Sequence, residues 1–165
     1  MTETEKVGVV AGMSIPQVND FVFPYIYGGQ WVSHAVFYLL DYADNFGNEA
    51  LGAAIAQSQI VRGADVILGV SGITGNGAIK QAGLRSKYYI GIDIDTYYTV
   101  FESGAVTGSE YLLTSILKQA DNTVYDTIVS HVNDTFTPGT TLYNVANGGV
   151  GWHLIMKPNL IFPRR

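Results

Sequence analysis

Short runs rich in β-branched and aromatic residues, at 7–10, 36–40, 64–70 and 88–94, alternate with segments that carry helical signals, and this alternation constrains the fold most. The runs show little polar–apolar alternation, as strands covered on both faces do. Between them, Ser14-Ile-Pro-Gln17 reads as a capping box with proline near the first helical position. Asn48 reads as the N-cap of a helix through Ala50, Leu51, Ala54, Ile55 and Val61, with Arg62 in its last turn and Gly63 as its C′ residue. Strand and helix alternate about four times, which predicts right-handed crossovers and a mostly parallel sheet between helical layers, a Rossmann-like three-layer α/β sandwich. At 165 residues the chain is a single domain, and no internal repeat or linker divides it.

The clearest helical pattern spans 114–132, where Leu113, Ile116, Leu117, Ala120, Val124, Ile128 and Val132 form one apolar stripe that should dock on a sheet. Pro24 predicts a break or kink near Phe23 in the first helix, with Gly28-Gly29 a candidate second break. The aromatic cluster Phe21, Phe23, Tyr25, Tyr27 and Trp31 suits either core or a face offered to another subunit. From Thr135 on, Thr137-Pro-Gly139 carries turn chemistry, 142–145 reads as an edge strand, and Pro158 and Pro163 predict an extended arm.

Composition removes several functions. Without cysteine there are no disulfides, thiolate nucleophiles, Fe–S clusters or Cys-type zinc sites. Only 14% of residues are charged, the net charge is −5 and no basic run occurs, which argues against nucleic acid. Thr, Asn, Gln, Ser and Tyr then supply much of the polar surface, a composition suited to an extracellular or closely packed surface. No stretch has the length and apolarity of a membrane span. The polar, acidic start at residues 1–5 lacks the regions of a signal peptide, so the expected location is cytoplasmic if Met1 is the native start and extracellular if a leader has been removed.

In an open parallel sheet, ligands bind outside the carboxyl ends of the strands. The loops that matter are therefore 11–14, the glycine-rich 71–77 and 93–95. The second opens a helix whose N–H groups can cradle an anion or admit a ligand closely, but it matches neither a P-loop nor a dinucleotide fingerprint, and a tight turn without ligand explains it equally. Asp93 and Asp95 admit three uses: hydrogen bonding to neutral hydroxyls such as a sugar's, a structural cap, or a metal site, the last opposed by the opposite directions of residues two apart in a strand. His34, His131 and His153 have neither metal-ligand spacing nor a nucleophile partner and read as structural. No nucleophile elbow or catalytic carboxylate pair is visible, so the chain reads as non-enzymatic, without cofactor or metal.

Five stretches together carry a resemblance: Lys6-Val-Gly-Val-Val-Ala-Gly-Met-Ser-Ile-Pro16; Gly63-Ala-Asp-Val-Ile-Leu-Gly69 with Gly72 to Gly77; Ile90-Gly-Ile-Asp-Ile-Asp95; Leu113-Thr-Ser-Ile-Leu-Lys118 with Val124-Tyr-Asp126; and Asn147-Gly-Gly-Val-Gly151. In this order and spacing the chain resembles the basic membrane protein (BMP) family, the PnrA-like nucleoside-binding receptors of ABC transporters. The resemblance implies one lobe of a type I periplasmic-binding-protein fold. It also implies that Asp93 and Lys118 hold ribose hydroxyls, with Gly72, Gly75 and Gly77 beside the base or sugar, and with Ser14 where the family has an aspartate after Gly-Met. A carboxylate accepts from adjacent hydroxyls and an ammonium donates to one, so the roles are chemically coherent.

Family members are about twice this length, and the chain matches roughly their second half. The segment from about Leu112, which in the family crosses back to the first lobe, must then fold onto the single sheet or pair with another chain, leaving 135–165 as a return strand and extended arm. Half a clamshell does not bury a ligand as high-affinity pockets do. The expected function is therefore a self-assembling structural or surface subunit, a homo-oligomer or filament, on a receptor-derived lobe; the alternative is a nucleoside- or sugar-binding module of an ABC transporter. The expected partners are the chain itself and a nucleoside, and the expected place is the extracellular or cell surface. Asn133-Asp-Thr135 is a glycosylation sequon.

Overall fold

A computed structural model describes residues 2–154. In chain order the elements are β1 (Lys6–Ala11), α1 (Pro16–Val32), β2 (Phe37–Tyr42), α2 (Glu49–Val61), β3 (Val66–Val70), α3 (Gly72–Leu84), β4 (Tyr88–Asp93), the short α4 (Thr96–Thr99), two 3₁₀ turns (Glu102–Gly104 and Ser109–Tyr111), β5 (Leu112–Lys118), α5 (Ala120–Val132) and β6 (Val150–Leu154). They build the expected three-layer sandwich on one six-stranded sheet of order β2-β1-β3-β4-β5-β6. β1 to β5 run parallel, and β6 returns antiparallel against β5, pairing Lys118 with Val150 and Ser115 with His153.

Successive strand residues point to opposite faces and supply two cores. On one face Val10, Ile67 and Tyr89 pack with Ala56 of α2 and with Ala78, Ile79 and Ala82 of α3. On the other, Val9, Ala11, Leu68 and Val70 meet Val18 and Val22 of α1. Two glycines set the spacing of α2 and α3, because a Cβ on Gly52 would overlap the Thr74 carbonyl and one on Gly77 that of Glu49. Buried Gln59 ties α2 to the sheet, its Nε2 lying 3.0 Å from the Val9 carbonyl, 3.1 Å from that of Leu39 and 2.8 Å from Asp41 Oδ2. The expected cap of α2 is present: Asn48 Oδ1 accepts from the Leu51 N–H at 3.0 Å, and Gly63 follows at φ 104°.

Five expectations are corrected. The helix of 114–132 is two elements: 112–118 is β5, held between β4 and β6, and only Ala120–Val132 is helical. That helix does not dock on the sheet, since none of its residues is buried. Ser14 is not the cap of α1: Ile15 holds that position without a side-chain bond, and Pro16 opens the helix. α1 then runs through Pro24 and Gly28-Gly29 without interruption; Asp20 and Pro24 are both exposed, so the carbonyl that proline leaves without a donor faces water. Finally, 142–145 is no strand. Asn147 Nδ2 donates to the Leu142 carbonyl and Asn144 Oδ1 accepts from the Ala146 N–H, both at 2.8 Å, which turns the chain there and leaves the edge to β6. The arm with Pro158 and Pro163 lies outside the described residues.

Candidate functional site

The carboxyl ends of β3, β4 and β5, the start of α1 and the loop after β2 surround a cleft of about 210 Å³. Its walls are Ile15, Gln17, Val18 and Phe21 from the α1 side, Phe46 from the loop after β2, Val70, Ser71 and Gly72 after β3, and Ile92, Asp93 and Lys118. Asp93 ends β4 with φ 71°, a left-handed turn that aspartate tolerates better than most residues. Its Oδ1 is shielded from solvent and lies 2.7 Å from Lys118 Nζ at the end of β5. The ammonium also stands 5.0 Å from the centre of the Phe21 ring. Both partners are about half exposed, at 53% and 42%, so the pair contributes at most about 1 kcal/mol to stability. What it provides is a carboxylate acceptor and an ammonium donor side by side over an apolar floor, the complement of adjacent hydroxyls on a ring.

The other expected site residues separate into two groups. Gly72 lines the cleft at φ +56°, and its Cβ position lies 3.1 Å from the Phe46 carbonyl, so glycine is required there twice over. Gly75 and Gly77 are buried in α3, facing Gly69 of β3 and Glu49 of α2, and do not line the cleft. The glycine-rich segment is thus the first turns of α3, and its later glycines serve packing. Ser14 is exposed and also outside the lining. Asp95 turns away from Asp93: its Oδ1 caps α4 by accepting from the Tyr97 N–H at 3.0 Å, and its Oδ2 lies 2.9 Å from His153 Nδ1. Among the described residues no three acidic or histidine side chains gather as metal ligands. Asn133 is the exposed C-cap of α5.

Sequence reasoning missed the aromatic walls Phe21 and Phe46. Phe46 follows β2, so the strand-end rule applied to 7–10, 64–70 and 88–94 would have found it. Phe21 carries no signal of its own, because in sequence it is one aromatic among five.

The family model described as ABC transporter substrate-binding protein PnrA-like matches residues 1–160. The ABC transporter nucleoside-binding protein BmpA of Lactococcus lactis is 31% identical over 90% of this chain and 45% of its own length. A CD4+ T-cell-stimulating antigen of Listeria monocytogenes is 31% identical over 91% of this chain and 44% of its own. The chain therefore spans under half the length of these curated relatives. Among solved structures, a solute-binding protein of an ABC transporter system from Aeropyrum pernix superposes with TM-score 0.72 at 30% identity, covering 90% of this chain and 40% of that one. A transcriptional activator of the comK gene from Bacillus halodurans has TM-score 0.78 at 17% identity, which speaks for the fold alone. Family match, relatives and superposed structure agree: the chain belongs to the PnrA-like family of ABC transporter substrate-binding proteins.

Proposed function

We propose that the chain is a non-enzymatic ligand-binding lobe that takes a nucleoside, its ribose hydroxyls on Asp93 and Lys118. The observation that carries this is the 2.7 Å pair standing at the carboxyl ends of β4 and β5 in the cleft. Support comes also from the nucleoside-binding relative and from the aromatic walls, which suit a planar base. Gly72 keeps that wall close, while Gly75 and Gly77 hold α3 in place behind it. Calorimetric titration with adenosine, guanosine and inosine tests the reading. We expect heat with at least one of them, and a loss of at least ~10-fold in affinity on Asp93→Ala and on Lys118→Ala. Silence across the panel with the intact chain overturns it.

A second reading, a self-assembling surface subunit forming a homo-oligomer or filament, is favoured by α5. Val124, Ile128 and Val132 line one side of it, all more than half exposed, and a helix of this length is marginal in water without a packed face. A surface location fits relatives named as lipoproteins and as a basic membrane protein. Light scattering tests the assembly: a monodisperse monomer at high concentration overturns it. A glycan on Asn133 of the native protein, sought by mass spectrometry, would fix an extracellular location.

A further inference from the structure

The outward face of α1 carries Phe23, Tyr27 and Trp31 at spacing i, i+4, i+8, exposed at 42, 65 and 90%. They form one ridge: Phe23 and Tyr27 stack at 6.3 Å between ring centres, and neither core cluster uses any of the three. The next row around the helix, Asp20, Pro24 and Gly28, is exposed and shallow, and no atom lies within 4 Å of where a Gly28 Cβ would be. A bulky i±4 row beside a shallow i±4 row is the pattern that packs ridge into groove on another helix.

We infer that this face pairs with the same face of a second copy of the chain, antiparallel about a twofold axis. One register satisfies every position. Tyr27 lies on Pro24 of the second copy, Phe23 fills the notch at its Gly28, and Trp31 lies over its Asp20, where the indole N–H donates to the carboxylate. Each contact occurs twice, as an isologous interface requires. The row contains no cation and one carboxylate per copy, and that carboxylate is placed opposite a donor, so the pairing brings no like charges together. Three rings of roughly 150–250 Å² each, at the exposures given, supply roughly 400 Å². With Pro24, Gly28, Gln30 and Val32 the face reaches about 600 Å² per copy, the low end of specific interfaces. A reversible, concentration-dependent dimer follows. This goes beyond nucleoside binding, and it uses residues of α1, none of α5.

Sedimentation velocity of the full chain, from low micromolar to near-millimolar concentration, tests the inference beside four variants. The weight-average mass should climb toward that of two chains. Tyr27→Glu and Trp31→Ala should each weaken association at least ~10-fold. Gly28→Leu, which fills the notch without removing any contact of the monomer, should do the same, with melting temperatures confirming that all three variants stay folded. Ile128→Glu, on α5, should leave the association unchanged. Association that survives Tyr27→Glu and Gly28→Leu but is lost in Ile128→Glu overturns the α1 pairing while leaving assembly through α5 standing. A monomer at every concentration overturns both, and calorimetry with nucleosides is unaffected by either result.

Discussion

At the scale of single residues, the glycines divide by what stands opposite them. A methyl added at Gly52 or Gly77 meets backbone of the facing segment, which cannot rotate away. Each glycine-to-alanine change should therefore cost about 2 kcal/mol, in the range of overpacked cores, read as a lower midpoint in urea unfolding. Gly28 faces open space and keeps an ordinary helical φ, so Gly28→Ala should gain roughly 0.5–1 kcal/mol in the monomer from its smaller entropy loss on folding. This contrast was not legible in the sequence. Gly72, Gly75 and Gly77 read there as one loop near a ligand, yet only Gly72 has a left-handed φ and a place on the cleft wall. The others are glycines because β3 and α2 come close, and that proximity is tertiary. Asp93 and Lys118, by contrast, were legible as a pair through the family resemblance, and the sheet explains why: β4 and β5 are neighbours in register, so residues ending them meet.

The elements show where pattern reading works and where it stops. Strands β1, β3 and β4 lie within a residue or two of their expected bounds, because each is apolar on both sides and ends at a turn residue. β5 carries a helical pattern in sequence because Leu113, Ile116 and Leu117 happen to continue the spacing of Ala120, Val124, Ile128 and Val132. Two elements in sequence shared one apolar period, and only strand pairing separates them. The stripe on α5 was real, but amphipathicity states that a helix has an apolar side without stating what covers it. In dilute solution α5 should therefore be the least protected long helix in amide hydrogen exchange, with α2 and α3 the slowest. Ile128→Ser on α5 should change stability by less than ~0.5 kcal/mol, whereas Ile79→Ala in the core of α3 should cost about 2–5 kcal/mol. Protection of α5 that matches α3 in the monomer would show that something within the chain covers it.

Across the whole molecule, the ion pairs among the described residues are at least partly exposed while two tyrosines lie in the packed layers, and this dictates how stability responds to pH. The Asp93–Lys118 pair is half exposed and holds little of the fold. The strong perturbations lie instead in the packed layers, where burial pushes the Tyr89 and Tyr25 hydroxyls above the ordinary tyrosine range; Tyr38 and Asp65 add to the effect on Tyr25, and Glu110 to that on Tyr89. Tyr89 is fully buried, stacks on Phe101 at 4.9 Å and donates to the Gly108 carbonyl at 3.0 Å. A hydroxyl whose folded pKa exceeds its unfolded value holds its proton more tightly in the native state. Its contribution is complete below the unfolded value near 10 and is lost as pH rises from there toward the folded value. Above about pH 10 each such tyrosine should then lower the unfolding free energy by about 1.4 kcal/mol per pH unit. Urea midpoints across the alkaline range, with tyrosinate absorbance recorded on the same samples, measure this. The chain should lose its fold before Tyr89 and Tyr25 ionise, so the last part of the absorbance rise should coincide with loss of secondary structure. Tyr89→Phe should cost about 1 kcal/mol at neutral pH by removing the bond to Gly108, yet flatten the alkaline limb by the slope of one group. A native chain whose buried tyrosines all titrate near pH 10 would show that solvent reaches the packed layers on both faces of the sheet, at Tyr89 on the α3 side and Tyr25 on the α1 side.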